Sequence, residues 1–68
     1  MIIKVNGEPR DVIAPARLRD VLDLAPGESV PRGVAVAVDG EVVPRSRHAD
    51  FELTDGARVE IVTAVQGG

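Results

Sequence analysis

Apolar and polar residues alternate at both ends of the chain, and between them apolar residues recur at helical spacing. Residues 1–5, Met-Ile-Ile-Lys-Val, read as a strand. Asn6-Gly7 follows at once, the dipeptide that best tolerates the two positive φ angles of a type I′ turn. Glu8 to Ile13 reads as the returning strand, and Pro9 near its start, with no N–H to give a ladder, marks it as an edge. Pro15 suits the first turn of a helix, where its missing N–H costs nothing. After it, Leu18, Val21, Leu22 and Ala25 fall at i, i+3, i+4 and i+7, while Arg17, Arg19, Asp20 and Asp23 lie off that stripe. Pro26-Gly27 ends the pattern. The spacing predicts an amphipathic helix of about ten residues, too short to hold alone and therefore packed on a sheet.

Residues 27–33 connect to Val34-Ala35-Val36-Ala37-Val38, a strand in which large and small residues alternate. Asp39-Gly40 is a second hairpin signal; Glu41-Val42-Val43 runs back until Pro44 stops it. Residues 45–50 read as polar loop, Phe51 and Leu53 as a short apolar stretch before the turn Asp55-Gly56, and Arg58 to Val65 as the last strand. This order predicts an α+β domain with a mixed sheet of four to five strands and one main helix packed on one face. With the first and last strands as parallel neighbours at the centre, the arrangement is the ubiquitin-like β-grasp. The domain is expected over residues 1–65, with residues 66–68 a flexible tail.

The last strand has two faces. Ala57, Val59, Ile61 and Thr63 point one way, and Val59 and Ile61 are expected to meet Leu18 and Leu22. Arg58, Glu60, Val62 and Ala64 point the other way, so that this outer face turns from charged to apolar along the strand. Ala35 and Ala37 add small, flat contributions to it. Val62, Ala64, Ala35 and Ala37 form a candidate partner-binding patch, set against ordinary surface apolarity.

Composition narrows the function. Of the 68 residues 44% are apolar, enough for one small domain. The absence of Cys excludes disulfide scaffolds, iron–sulfur clusters, thiolate zinc sites and cysteine catalysis. Eight Lys and Arg stand against 11 Asp and Glu, a net charge of −3, and Phe51 is the only aromatic. Neither clustered cations nor a stacking platform offers itself to nucleic acid. No apolar run approaches the ~20 residues that span a bilayer, and no leader opens the chain. A cytoplasmic protein, monomeric when free, is expected.

Chemistry has little to draw on. His48, with Ser46 two residues before it, matches no catalytic spacing, and both read as solvated loop residues. Asp39, Asp50 and Asp55 sit at turns for backbone reasons, and no metal site is expected. The expectation is a protein that is not itself an enzyme. The informative feature is Gly67-Gly68 after Gln66. Without Cβ atoms such a tail is thin, and it suits threading a carboxyl group into a narrow active site on another protein. An α-carboxylate is a poor electrophile at neutral pH and needs activation before anything can attack it.

Over its whole length, and most densely from Val34 onward, the chain resembles the sulfur carriers of thiamine biosynthesis, the ThiS family. The residues that carry the resemblance are Val34 through Pro44-Arg45, then Leu53-Thr54-Asp55-Gly56, then Val59 through Gln66-Gly67-Gly68, and the opening strand–Asn6-Gly7–strand agrees. The resemblance implies that the Gly68 carboxylate is adenylated by an E1-like, ThiF-type adenylyltransferase that uses ATP and magnesium. It implies conversion to a thiocarboxylate, with sulfur drawn indirectly from a cysteine desulfurase, and delivery to a ThiG-type thiazole synthase. Gly67 corresponds to the family's penultimate glycine, and the chain departs at His48, where the family often has an aromatic residue. No cofactor is implied on the chain itself. The alternatives are the related small subunit of molybdopterin synthase and a ubiquitin-like interaction or modifier module.

Overall fold

The last strand becomes the middle of the sheet. The computed structural model describes residues 1–63. Its elements are β1 (Ile2–Val5), β2 (Glu8–Asp11), β3 (Ala16–Arg17), α1 (Leu18–Val21), β4 (Val34–Val38), β5 (Glu41–Val42), a 3₁₀ turn at Arg45–Arg47, β6 (Glu52–Leu53) and β7 (Arg58–Thr63). Five strands form one sheet in the order β2-β1-β7-β4-β5. β1 and β7 run parallel and the other neighbours antiparallel. This is the expected α+β arrangement, with five strands rather than four. β3 and β6 form a separate ribbon, Ala16 opposite Leu53 and Arg17 opposite Glu52.

Both hairpins have the backbone that their dipeptides require. Asn6 and Gly7 have φ of 50° and 84°, and Asp39 and Gly40 have 52° and 87°. Their side chains extend the sheet as well. Asn6 Oδ1 accepts the Ile61 N–H at 2.8 Å, and Asp39 Oδ1 accepts the Arg58 N–H at 3.0 Å. β2 lies at the edge, as Pro9 requires.

The core lies between the sheet and the segments that cross its inner face. Ile3, Leu18, Val36 and Val59 are its largest fully buried side chains, and Leu22 and Ile61 pack against it half-buried. Each full burial contributes about 1.5–3 kcal/mol.

The helix differs from its expectation. It is a single turn at Leu18–Val21, and Ala16–Arg17 before it are extended. Its start is fixed from outside: the Leu18 N–H donates to the Phe51 carbonyl and the Arg19 N–H to the His48 carbonyl, both at 2.9 Å. Asp20 reaches back to accept the Arg17 N–H at 2.8 Å. At the other end Asp23 adopts φ of 55°, and the Leu24 N–H bonds the Arg19 carbonyl at 3.0 Å. That 6→1 bond around a left-handed residue is a Schellman stop, and it ends the helix before Pro26-Gly27 can. The apolar stripe still works, since Leu18 and Val21 are buried, but Ala25 is exposed.

The other strand ends are also shorter than expected. β2 stops at Asp11, leaving Ile13 exposed, and β5 stops at Val42. β7 is described as far as Thr63, so the end of the last strand at Val65 and the flexible tail expected at residues 66–68 lie outside the described residues.

His48 corrects the loop reading. It is 4% exposed, and its Nε2 lies 3.0 Å from the Val43 carbonyl oxygen. A carbonyl only accepts, so Nε2 carries the hydrogen, and Nδ1 has no partner among the described residues. The 3₁₀ turn brings the ring inward, with the His48 N–H on the Arg45 carbonyl at 3.2 Å. The ring thus ties the end of the β4–β5 hairpin to the loop that starts α1. His48→Ala removes both the buried ring and the Val43 donor and should lower stability by about 2–4 kcal/mol in urea unfolding. A loss under about 0.5 kcal/mol would contradict this role.

Candidate functional site

The outward face of the sheet is built by strand register. Cross-strand partners share a face, so Val62 stands beside Ala35, Glu60 beside Ala37, and Ala37 beside Val42. On the other side of β7, Lys4 lies beside Arg58. Alternation buries Val36, Val38 and Val59 beneath and turns these residues outward.

One corner of this face is apolar. Val62 is 55% exposed and Val42 71%, with Ala35 exposed and Ala37 half-buried between them. The alanines keep the surface low, so the two valines stand above a flat floor. The sequence-predicted residues Val62, Ala35 and Ala37 are therefore brought together, whereas Ala64, Gln66, Gly67 and Gly68 lie outside the described residues. Val42 was missed by sequence reasoning. Its signal was present: Val43 beside it is the buried one, and β5 must alternate.

The other corner is charged. Lys4, Arg58 and Glu60 line a shallow groove of ≈ 560 Å³ together with Asn6, Gly7 and Val59. Neither cation is salt-bridged among the described residues, nor is Glu60. Opposite charges on a partner are the groups that such side chains would meet, and they set orientation more than affinity.

Burial removes His48, the only imidazole, from any substrate. Among the described residues no three Asp, Glu or His side chains are grouped to hold a metal, and no helix is long and apolar enough to cross a membrane. What the face presents is an apolar corner and a charged one, with β7 running through its middle.

The model of the ThiS family matches residues 3–68, a span that includes Gln66, Gly67 and Gly68. This chain belongs to the ThiS family. Among solved structures, it is similar to the crystal structure of the thiamine biosynthesis protein ThiS from Geobacter metallireducens. The two are 27% identical over 100% of each chain, with a TM-score of 0.72. It is also similar to the solution structure of a thiamine biosynthesis protein from Geobacter metallireducens, with 29% identity over 100% of this chain and 88% of that one and a TM-score of 0.67. No curated protein matches the chain significantly. The ThiS relatives share the β-grasp architecture that the order of elements implied.

The exposed corner contributes little to stability. Val62→Asp should lower the unfolding free energy of this ThiS-family chain by less than about 1 kcal/mol, because the side chain gives up little buried area. A larger loss of unfolding free energy in urea would contradict this.

Proposed function

We propose that this chain is a sulfur carrier of thiamine biosynthesis, a protein cosubstrate whose reactive group is the Gly68 carboxylate. The observation that supports it most is the ThiS-family match through Gly67 and Gly68, on a β-grasp domain whose central strand leads to that tail. The structural relatives are thiamine biosynthesis proteins, which favours the thiazole route over the molybdopterin one.

The chemistry follows from the inertness of a carboxylate. An E1-like, ThiF-type partner uses magnesium-ATP: a Gly68 carboxylate oxygen attacks the α-phosphorus, pyrophosphate leaves, and an acyl-adenylate results. A protein persulfide, charged by a cysteine desulfurase, then displaces AMP to give an acyl disulfide. A second thiol attacks the sulfur on the persulfide protein's side, a disulfide forms between those two thiols, and the Gly68 thiocarboxylate is released to give its sulfur to a ThiG-type thiazole synthase. ATP and magnesium belong to the partner. The carrier contributes a thin tail that reaches a recessed site and a face that docks. Val62, Ala35 and Ala37, with Val42, supply the apolar part of that face. Lys4, Arg58 and Glu60 set its orientation. The carrier works in the cytoplasm as a free monomer between partners.

Deleting Gly68 separates this reading from an interaction module. The truncated carrier should bind the adenylating partner with affinity unchanged within about threefold and support no thiazole formation. Full activity after the deletion would refute the reading. Val62→Asp should weaken both complexes by roughly tenfold or more, as expected for a charge placed in an apolar contact. Unchanged binding would remove this face from docking.

A further inference from the structure

β7 is paired on both sides, but beyond Asn6 its β1-side edge is left open. Its antiparallel ladder with β4 puts Arg58 opposite Asp39, with the Asp39 N–H on the Arg58 carbonyl at 2.8 Å. Hydrogen-bonded pairs alternate, so Glu60–Ala37 and Val62–Ala35 are the next two. The odd residues of β7 therefore direct their backbone groups to the opposite side, toward β1. The bonds there agree. The Lys4 N–H donates to the Ala57 carbonyl at 2.9 Å and the Asn6 N–H to the Val59 carbonyl at 2.8 Å. Asn6 Oδ1 then takes the Ile61 N–H, standing where a main-chain carbonyl would stand had β1 continued.

At Asn6-Gly7 the hairpin turns away, and β7 goes on without it. The Ile61 carbonyl and the Thr63 N–H are the next groups on this edge, and neither has a partner among the described residues. In a parallel pairing, one extended residue satisfies such a carbonyl and the N–H two positions on. The vacancy thus has the form of one more β1 residue.

We infer that an extended segment of the adenylating partner completes this edge, running parallel to β7 in line with β1 and bonding the Ile61 carbonyl and the Thr63 N–H. The inference rests on the carrier reading above. A tail that delivers a carboxyl group has to be held extended, and strand addition does this through the backbone. Gly68 is five residues beyond Thr63, at most about 18 Å along the chain, so a grip at Thr63 aims the whole tail. Two backbone groups are too few to hold a second copy of the chain, since short edges are how proteins avoid self-pairing. They suffice to align a segment already brought near by the apolar corner beside them, where Val62 lies between the two.

Amide exchange in the free carrier and in its complex with the ThiF-type enzyme of the same source tests this. The Thr63 amide should exchange freely alone and be slowed at least roughly tenfold in the complex, while the Val62 amide, bonded toward β4, is protected in both. A synthetic carrier with the Thr63 amide replaced by an ester should bind roughly tenfold more weakly, and Thr63→Ala, which keeps the N–H, should bind as the parent does. A tight complex with unchanged Thr63 exchange and unaffected ester binding overturns the edge contact and leaves the carrier reading standing. Thr63 protection that rises with carrier concentration alone overturns it in favour of a second copy. No complex and no adenylation would defeat the carrier reading and this inference with it.

Discussion

The structure depends on β7 being bonded along both edges at once. Its antiparallel ladder with β4 runs from Val59–Val38 to Thr63–Val34, and its parallel contact with β1 brings the first residues of the chain beside the last strand. Pairing elements so distant in sequence has a loop-closure cost, which the buried side chains of the central strands offset. Ile3, Val36 and Val59, one from each of the three central strands, are all essentially inaccessible. The consequence for function is positional. The carboxyl-terminal residues follow, in sequence, directly on the strand at the centre of the sheet.

With β7 in the middle, strand alternation divides the work between two faces. The inner face takes the core and the short helix, and the outer face is left to carry a patch with no structural duty. Ala35 and Ala37 explain how a surface that close to the core stays flat, and Val42 and Val62 explain how it remains apolar. Lys4 and Arg58 occupy the end of the face away from Val62, and Glu60 stands between them and the apolar corner. A net charge of −3 therefore says little about docking, because the local pattern is two cations and an anion beside an apolar corner.

Much of this was legible in the sequence because the signals are local and have one meaning. Asn6-Gly7 and Asp39-Gly40 demand left-handed turns, and Pro9 demands an edge. The Val-Ala alternation of residues 34–38 separates core from surface, so the site residues Val62, Ala35 and Ala37 fell on one face as read. The helix was misjudged because its length is set by tertiary bonds. Carbonyls of Phe51 and His48, far along the chain, fix its start, and Asp23 in a left-handed conformation stops it where a Pro-Gly pair seemed the evident terminator. His48 was misjudged because residues 45–50 are polar, and only the turn at Arg45–Arg47 swings that one ring inward onto Val43. Strand alternation could have found Val42; nothing local could have found the open edge beside Asn6. The carboxyl-terminal glycines carried the functional signal in sequence and family alike.

Whether Gly68 carries sulfur is read from the intact mass of the chain after incubation with its adenylating partner, magnesium-ATP and a sulfur source. One carboxylate oxygen exchanged for sulfur, with the same chain lacking Gly68 unchanged in mass, is the expected result. An unaltered mass, with the partner shown to be active on another carrier, would contradict it.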